Sequence, residues 1–236
     1  MMRFLALFVA LFALAHSAQV QYSCIDLNGE VKQCPQNSRP SSFGDHLAAF
    51  AKYAKRINET GWDELELISN EHLPDDVQAY YAGYLEGFLT AGLIKSLRHN
   101  MLQEDKKQWC TRLGHFITEN LKHTVAEVHQ KKNDPYWHEV GLTLYQVAGL
   151  DDGSAAAENG KVHHKKPHLD LNPCGNILMN LYTEFSGILN IQKSEVEERE
   201  TRCSAIIKYL PQKGEVYVAH NTWSKFVYSL LLFHFN

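Results

Sequence analysis

The amino-acid sequence predicts an α+β chain whose amino-terminal portion is mainly helical and whose last part opens a β-hairpin. Two observations carry that expectation. Between Val77 and Val147, apolar and aromatic residues recur every three to four positions, the spacing of helices that each bury one face. After residue 202 the pattern changes to two β-branched-rich runs, Cys203–Leu210 and Glu215–His220, joined by Pro211-Gln212-Lys213-Gly214. That is a strand, turn and strand signature.

Taken in order, Arg3 precedes an apolar run from Phe4 to Ala15 that closes on small residues. This predicts a signal peptide over 1–17, cleaved after Ser17. The run is shorter than the roughly 20 apolar residues that cross a bilayer, so no stable membrane span is expected. Cys24 and Cys34 flank a segment whose Asn28-Gly29 is a hairpin turn signal, which predicts a local disulfide. Ser41 and Ser42 precede Phe43, Leu47, Phe50, Ala54 and Ile57, a helical spacing that stops by Gly61. Asn58-Glu59-Thr60 is an N-glycosylation acceptor. Trp62 to Ile68 alternates like a short strand.

Pro74, Asp75 and Asp76 suit the first turn of a helix that buries Val77, Tyr81, Tyr84, Phe88 and Ile94. A third helix is predicted over 105–129, with Trp109, Leu113 and Phe116 inward. A fourth starts at Asp134-Pro135 and stops between Gly149 and Gly153. Residues 151–170 read as a polar linker. Its His163, His164 and His168 have no carboxylate or cysteine at ligand spacing, so a solvated loop is expected rather than a metal site. A helical face resumes at Ile177, and 190–202 form a charged, cleavable connector. The amino-terminal region is thus read as 18–202, and 203–236 as the start of a different unit.

A hydrophobic content of 44% with 21% charged residues indicates a folded chain. The net charge of −4 argues against a nucleic-acid partner, which needs a basic face. Thirteen histidines stand out. Losing Arg3 and His16 with the signal leaves 22 basic against 27 acidic residues and a charge of −5; charging the other twelve histidines in an acidic lumen would carry it to +7. The five cysteines all follow the signal, and an odd count leaves at least one without an internal partner. Nothing in the sequence calls for a cofactor or a metal, and nothing indicates an oligomeric state.

The blocks TGWDELEL, QAYYAGYLEGFL, NDPYWHEVGLTLYQVAGLDD, CSAIIKYLP and VYVAHNTW, in this order and spacing, resemble the phospholipase B-like family from about Leu47 to Trp223. The resemblance implies an N-terminal nucleophile hydrolase, cut between Arg202 and Cys203 so that Cys203 starts the catalytic chain. It implies a sandwich of two sheets between helices, of which this chain holds the first hairpin. The implied substrate is a phospholipid ester or acyl amide, in the secretory route, outside the cell or in the lysosomal lumen.

The residues themselves agree with such a role. Once freed, Cys203 carries an α-amine with a reference pKa of about 7.7–8.0 beside a thiol near 8.5, so the amine can take the proton the nucleophile loses. The end of the second strand lies beside Cys203 in a hairpin of this length. There Asn221 is a candidate oxyanion donor, His220 a candidate orienting group and Trp223 a candidate pocket wall. Three departures from the family stand out. Glu200-Thr201-Arg202 replaces the small residues or His usual before the cysteine; the usual partner of Cys110 is absent, leaving it free or joined to Cys174; and SKFVYSLLLFHFN after Trp223 does not resemble the family. An incomplete form without turnover of its own is therefore expected, and the rival class is a noncatalytic lumenal lipid-binding protein.

Overall fold

In the computed structural model the described residues are 19–36, 46–102, 106–160, 166–181, 184–185, 203–222 and 232–235. The expected signal (1–17), His163 and His164, the connector (190–202) with Arg202, and Trp223 lie outside them. Strand β1 (Gln19–Asp26) turns back on β2 (Val31–Gln33) through Asn28 and Gly29. Gly29 sits at φ 76°, a left-handed conformation that glycine adopts without a Cβ penalty. Cys24 and Cys34 are bridged across this hairpin, with Cα atoms 5.8 Å apart.

β3 (Leu47–Lys55) pairs antiparallel with β1 on one side and with β4 (Asp63–Ser69) on the other. This corrects the helix expected from Phe43 to Ile57. Its residues suit both periods, because alanine occupies Ala48, Ala49, Ala51 and Ala54 and takes either face. The central place between two strands decides the matter, since it satisfies the backbone on both edges and overrides helical propensity. The helix is confined to a single turn, α1 (Ile57–Thr60), closed by Gly61 at φ 82°. Buried Asp63 holds that corner: it accepts from Tyr53 Oη at 2.8 Å and from the backbone N–H groups of Arg56 and Ile57 at 2.8 and 2.9 Å. β7 (Leu232–Phe235) adds parallel to β4, and the sheet order is β2-β1-β3-β4-β7.

Three long helices follow: α2 (Asp75–Leu102), α3 (Lys106–Gln130) and α4 (Pro135–Asn159). Asp134 caps α4 by accepting from Tyr136 N at 2.9 Å, with Pro135 at the first position, where a missing N–H costs nothing. α4 does not stop at Gly149 to Gly153 as the sequence suggests, and the linker predicted over 151–170 is helical to Asn159. The reason is packing. Gly83 and Gly87 on α2 face Gln146 and Leu150 on α4, while Gly149 and Gly153 face Tyr80 and Tyr84. Contacts advance together along both helices, so α2 and α4 run parallel, and α3 returns the chain. Four glycines let the two backbones touch, and that contact outweighs the helix-breaking tendency of Gly149 and Gly153.

The helices lie against the sheet over a core built from Ile25, Ala49, Tyr53, Leu65, Tyr80 and Tyr84, among others. A second core joins the far end of α2 to α3 and the short α5 (Asn176–Asn180) through Ile94, Leu102, Leu113, Ile117, Leu178 and Met179. A Cys110–Cys174 bridge ties α3 to the segment before α5. The amino-terminal portion is therefore a sheet covered by helices, still α+β, and less purely helical than the periodicity suggested.

Candidate active site

β5 (Cys203–Leu210) and β6 (Glu215–Thr222) form an antiparallel hairpin over the stretch predicted for it. Gly214, at φ 66°, and a bond from Lys213 N to Leu210 O close the turn. The backbone register pairs Cys203 with Thr222, Ser204 with Asn221 and Ala205 with His220. The cysteine that opens the first strand and the AHNT segment that ends the second are thus brought to one end of the ladder. His220 is exposed there.

The sandwich implied by the family resemblance would cover this sheet on both faces. Among the described residues it is uncovered: Ile206, Ile207, Val216 and Val218 are 66%, 75%, 59% and 69% exposed. The strands alternate sides at every residue, so adjacent Ile206 and Ile207 show that both faces are bare. At the turn end, Tyr217 Oη donates to Glu215 Oε2 at 2.8 Å, and that bond raises the phenol's pKa.

Cysteine arithmetic bears directly on the candidate nucleophile. The two bridges use Cys24, Cys34, Cys110 and Cys174. Five cysteines are present, so Cys203 has no cysteine of this chain left to pair with.

A polar cluster that the sequence reading did not single out lies in the helical layer. Tyr80 Oη donates to Asp152 Oδ2 at 2.8 Å, and His168 Nε2 meets the same oxygen at 2.7 Å. Asp170 N donates to His168 Nδ1 at 3.1 Å, which leaves the ring proton on Nε2 to be given to Asp152. Burial, then the Asp152 hydrogen bond, pushes the Tyr80 phenol well above its ordinary value. The neighbouring Asp151 accepts from Asn176 N at 2.8 Å. A cavity of about 580 Å³ opens beside the cluster, walled by Arg98, Asp151, Glu158, His168 and Asp170. The available signal was the Asp151-Asp152 pair set between two glycines. The linker reading treated it as solvated, whereas Asp152 is buried. Among the described residues no group of three or more His, Cys, Asp or Glu side chains is arranged to hold a metal ion.

Residues 49–234 match the Phospholipase B family model. The chain belongs to the phospholipase B family. It is 34% and 33% identical to proteins of Bos taurus and Homo sapiens that both carry the name "Putative phospholipase B-like 2", with 77% of this chain and 32% of each relative covered. A Dictyostelium discoideum relative, phospholipase B-like protein B, is 30% identical over 77% of this chain and 33% of its own length. The chain therefore spans about a third of the length of the curated phospholipase B relatives it matches. Among the described residues no helix is long and apolar enough to cross a membrane.

Proposed function

We propose that this chain carries the nucleophile-bearing start of an acyl hydrolase that acts on phospholipid esters or related amides in the lumen of the secretory or lysosomal route. The observation that supports it most is Cys203: it opens a strand inside the phospholipase B match and is the one cysteine outside the two bridges. In the processing step, Cys203 Sγ attacks the Arg202 carbonyl carbon and the Arg202–Cys203 C–N bond breaks. The nitrogen takes a proton and becomes the α-amine. Water then cleaves the thioester, releasing the Arg202 carboxylate and restoring the thiol.

In turnover the same thiol gives its proton to that amine and forms an acyl thioester with the substrate. The ammonium protonates the departing alcohol or amine, and water frees the acid. Asn221 is the proposed oxyanion donor, His220 an orienting group and Trp223 a wall of the acyl pocket. The N-terminal nucleophile sandwich, with 203–236 as its beginning, belongs to the same reading. The bare faces of the hairpin support a need for further sheet sequence before sustained deacylation. Two bridges suit an oxidising compartment, and Asn58, exposed on α1, suits glycan attachment, which peptide mapping checks.

The test for this chain is its own cleavage. Intact-mass and amino-terminal sequencing after incubation at acidic pH should find a new terminus at Cys203, and Cys203→Ala should leave the chain whole. An Arg202–Cys203 bond that stays intact in mature material sinks the hydrolase reading and favours a noncatalytic binding protein.

A further inference from the structure

A second cavity, of about 390 Å³, lies between α2, α4 and α5, and none of the residues that line it belongs to the hairpin. Its wall is aliphatic over most of its extent: Leu93, Ile94, Leu97, Met101, Leu150 and Met179. Asn176 also lines it. That residue is 0% exposed, yet neither its Nδ2 nor its Oδ1 has a hydrogen-bond partner among the described residues. Buried amides are nearly always paired, and one left without a partner is costly to bury. Loose geometry does not explain it, because the backbone on either side is fixed. Asn176 N donates to Asp151 Oδ1, Asn180 Nδ2 donates to Asn176 O at 3.0 Å, and the Cys110–Cys174 bridge anchors the segment two residues earlier.

Glu86, Thr90 and Asn180 complete the wall, with Thr90 Oγ1 and Asn180 Nδ2 already donating to backbone carbonyls. A mainly aliphatic space of ligand size, with a held amide whose donor and acceptor are both unpaired among the described residues, describes a receptor for a small amphiphile. We propose that this cavity binds an unbranched aliphatic molecule ending in a group that both donates and accepts, a primary amide or a protonated carboxylic acid, with the chain against Leu93, Leu97 and Met101 and the head on Asn176. The site is separate from the hydrolase reading and stands or falls without it. The head group recovers both of the hydrogen bonds that Asn176 lacks, so discrimination is greatest between ligands that differ only there.

The probes are decanamide and N,N-dimethyldecanamide, titrated into the purified chain by isothermal calorimetry. The second probe keeps the chain and the carbonyl but cannot donate. Decanamide should bind at one site about tenfold more tightly than its dimethyl analogue. Asn176→Leu, which removes the orphaned groups at similar volume, should erase that tenfold preference. Leu97→Trp, which fills the cavity, should abolish binding of both probes. Equal affinities for the two probes, a preference that survives Asn176→Leu, or no saturable binding of decanamide would each overturn the proposal. The probe comparison on the unaltered chain decides it even if a variant fails to fold.

Discussion

The parallel contact between α2 and α4 makes a single methyl group a severe test of the fold. A Cβ placed on Gly149 lies 2.8 Å from Tyr84 N, 2.9 Å from Tyr80 C and closer still to Tyr80 O, whereas ordinary contacts start at 3.4 Å. All three are backbone atoms of a helix, so none can swing aside, and the helices must part by roughly half an ångström to an ångström or more. Overpacking of this kind costs about 1–3 kcal/mol. Parting α2 from α4 also stretches the buried Tyr80–Asp152 hydrogen bond, worth about 1–3 kcal/mol when a partner is left without it. Against this, alanine returns about 1 kcal/mol of helix propensity.

The balance for Gly149→Ala is a loss of about 3 kcal/mol, from the middle of each range. With a urea slope of about 2–3 kcal/mol/M for a chain of this size, the unfolding midpoint should fall by about 1–1.5 M under oxidising conditions. Gly92→Ala is the control. It lies on the partner helix α2, with nothing within 4 Å of the added methyl, so propensity alone acts and the midpoint should rise slightly. If Gly149→Ala leaves the midpoint within about 0.2 M, or tracks Gly92→Ala, the close crossing is not what sets the α2–α4 contact and the reasoning fails.

Opening either bridge should destabilise in proportion to the loop it closes. Loop-entropy arithmetic gives about 4 kcal/mol for Cys110–Cys174, separated by 64 positions, and about 2.7 kcal/mol for Cys24–Cys34, separated by 10, so urea midpoints of Cys110→Ser and Cys24→Ser should fall in that order. Burial first, then the Asp152 carboxylate, raises the Tyr84 phenol to about 12. The native state thus favours the neutral form, and the stability this contributes is complete below pH 10 and is lost as pH rises from 10 through 12. Tyr84→Phe should remove up to about 1.4 kcal/mol per pH unit from that decline; an unchanged slope in urea midpoints taken across pH 9.5–11.5 would refute it. Ile207→Ala on the bare hairpin should change the unfolding free energy by less than about 0.5 kcal/mol, against about 2–5 kcal/mol for Leu65→Ala in the fully buried core, both read from urea melts.

What the sequence revealed, and what it hid, follows from how many physical readings each segment allows. α2 and α3 were legible because large aromatic and aliphatic residues fall at helical spacing, although Phe116, expected inward on α3, is 41% exposed while Leu113 and Ile117 take the buried face; the Asp134-Pro135 start of α4 was legible because cap chemistry is local. The terminal hairpin was legible from β-branched runs around Gly214. β3 was not, because alanine sits equally well at period two and period 3.6, and its choice is made by strands distant in sequence. The end of α4 was misplaced for a related reason: a glycine that permits close helix contact is written with the same letter as one that stops a helix. Its i, i+4 repeat at Gly83 and Gly87, matched by Gly149 and Gly153, was the usable signal. Of the candidate site, the cysteine count isolated one thiol without naming it. For the Tyr80–Asp152–His168 cluster the sequence offered only the Asp151-Asp152 pair between two glycines, since its members meet only through the fold.

Stability and the proposed chemistry therefore fall in different parts of this chain. The sheet and the helices on it have their own buried cores and hold both disulfides, while hairpin residues 204–209 and 211–220 are exposed and bury little against those cores. A two-stranded hairpin with two apolar faces is marginal alone in water, and its unpaired edges attract other strands. The folding of the amino-terminal layer consequently says nothing for or against the Cys203 chemistry. The converse is useful: on the proposed reading, substitutions at the hairpin should alter processing without passing through the global unfolding equilibrium. A Cys203→Ala chain that resists cleavage yet unfolds at the same urea concentration as its parent would separate the proposed reactivity of the thiol from the stability of the scaffold.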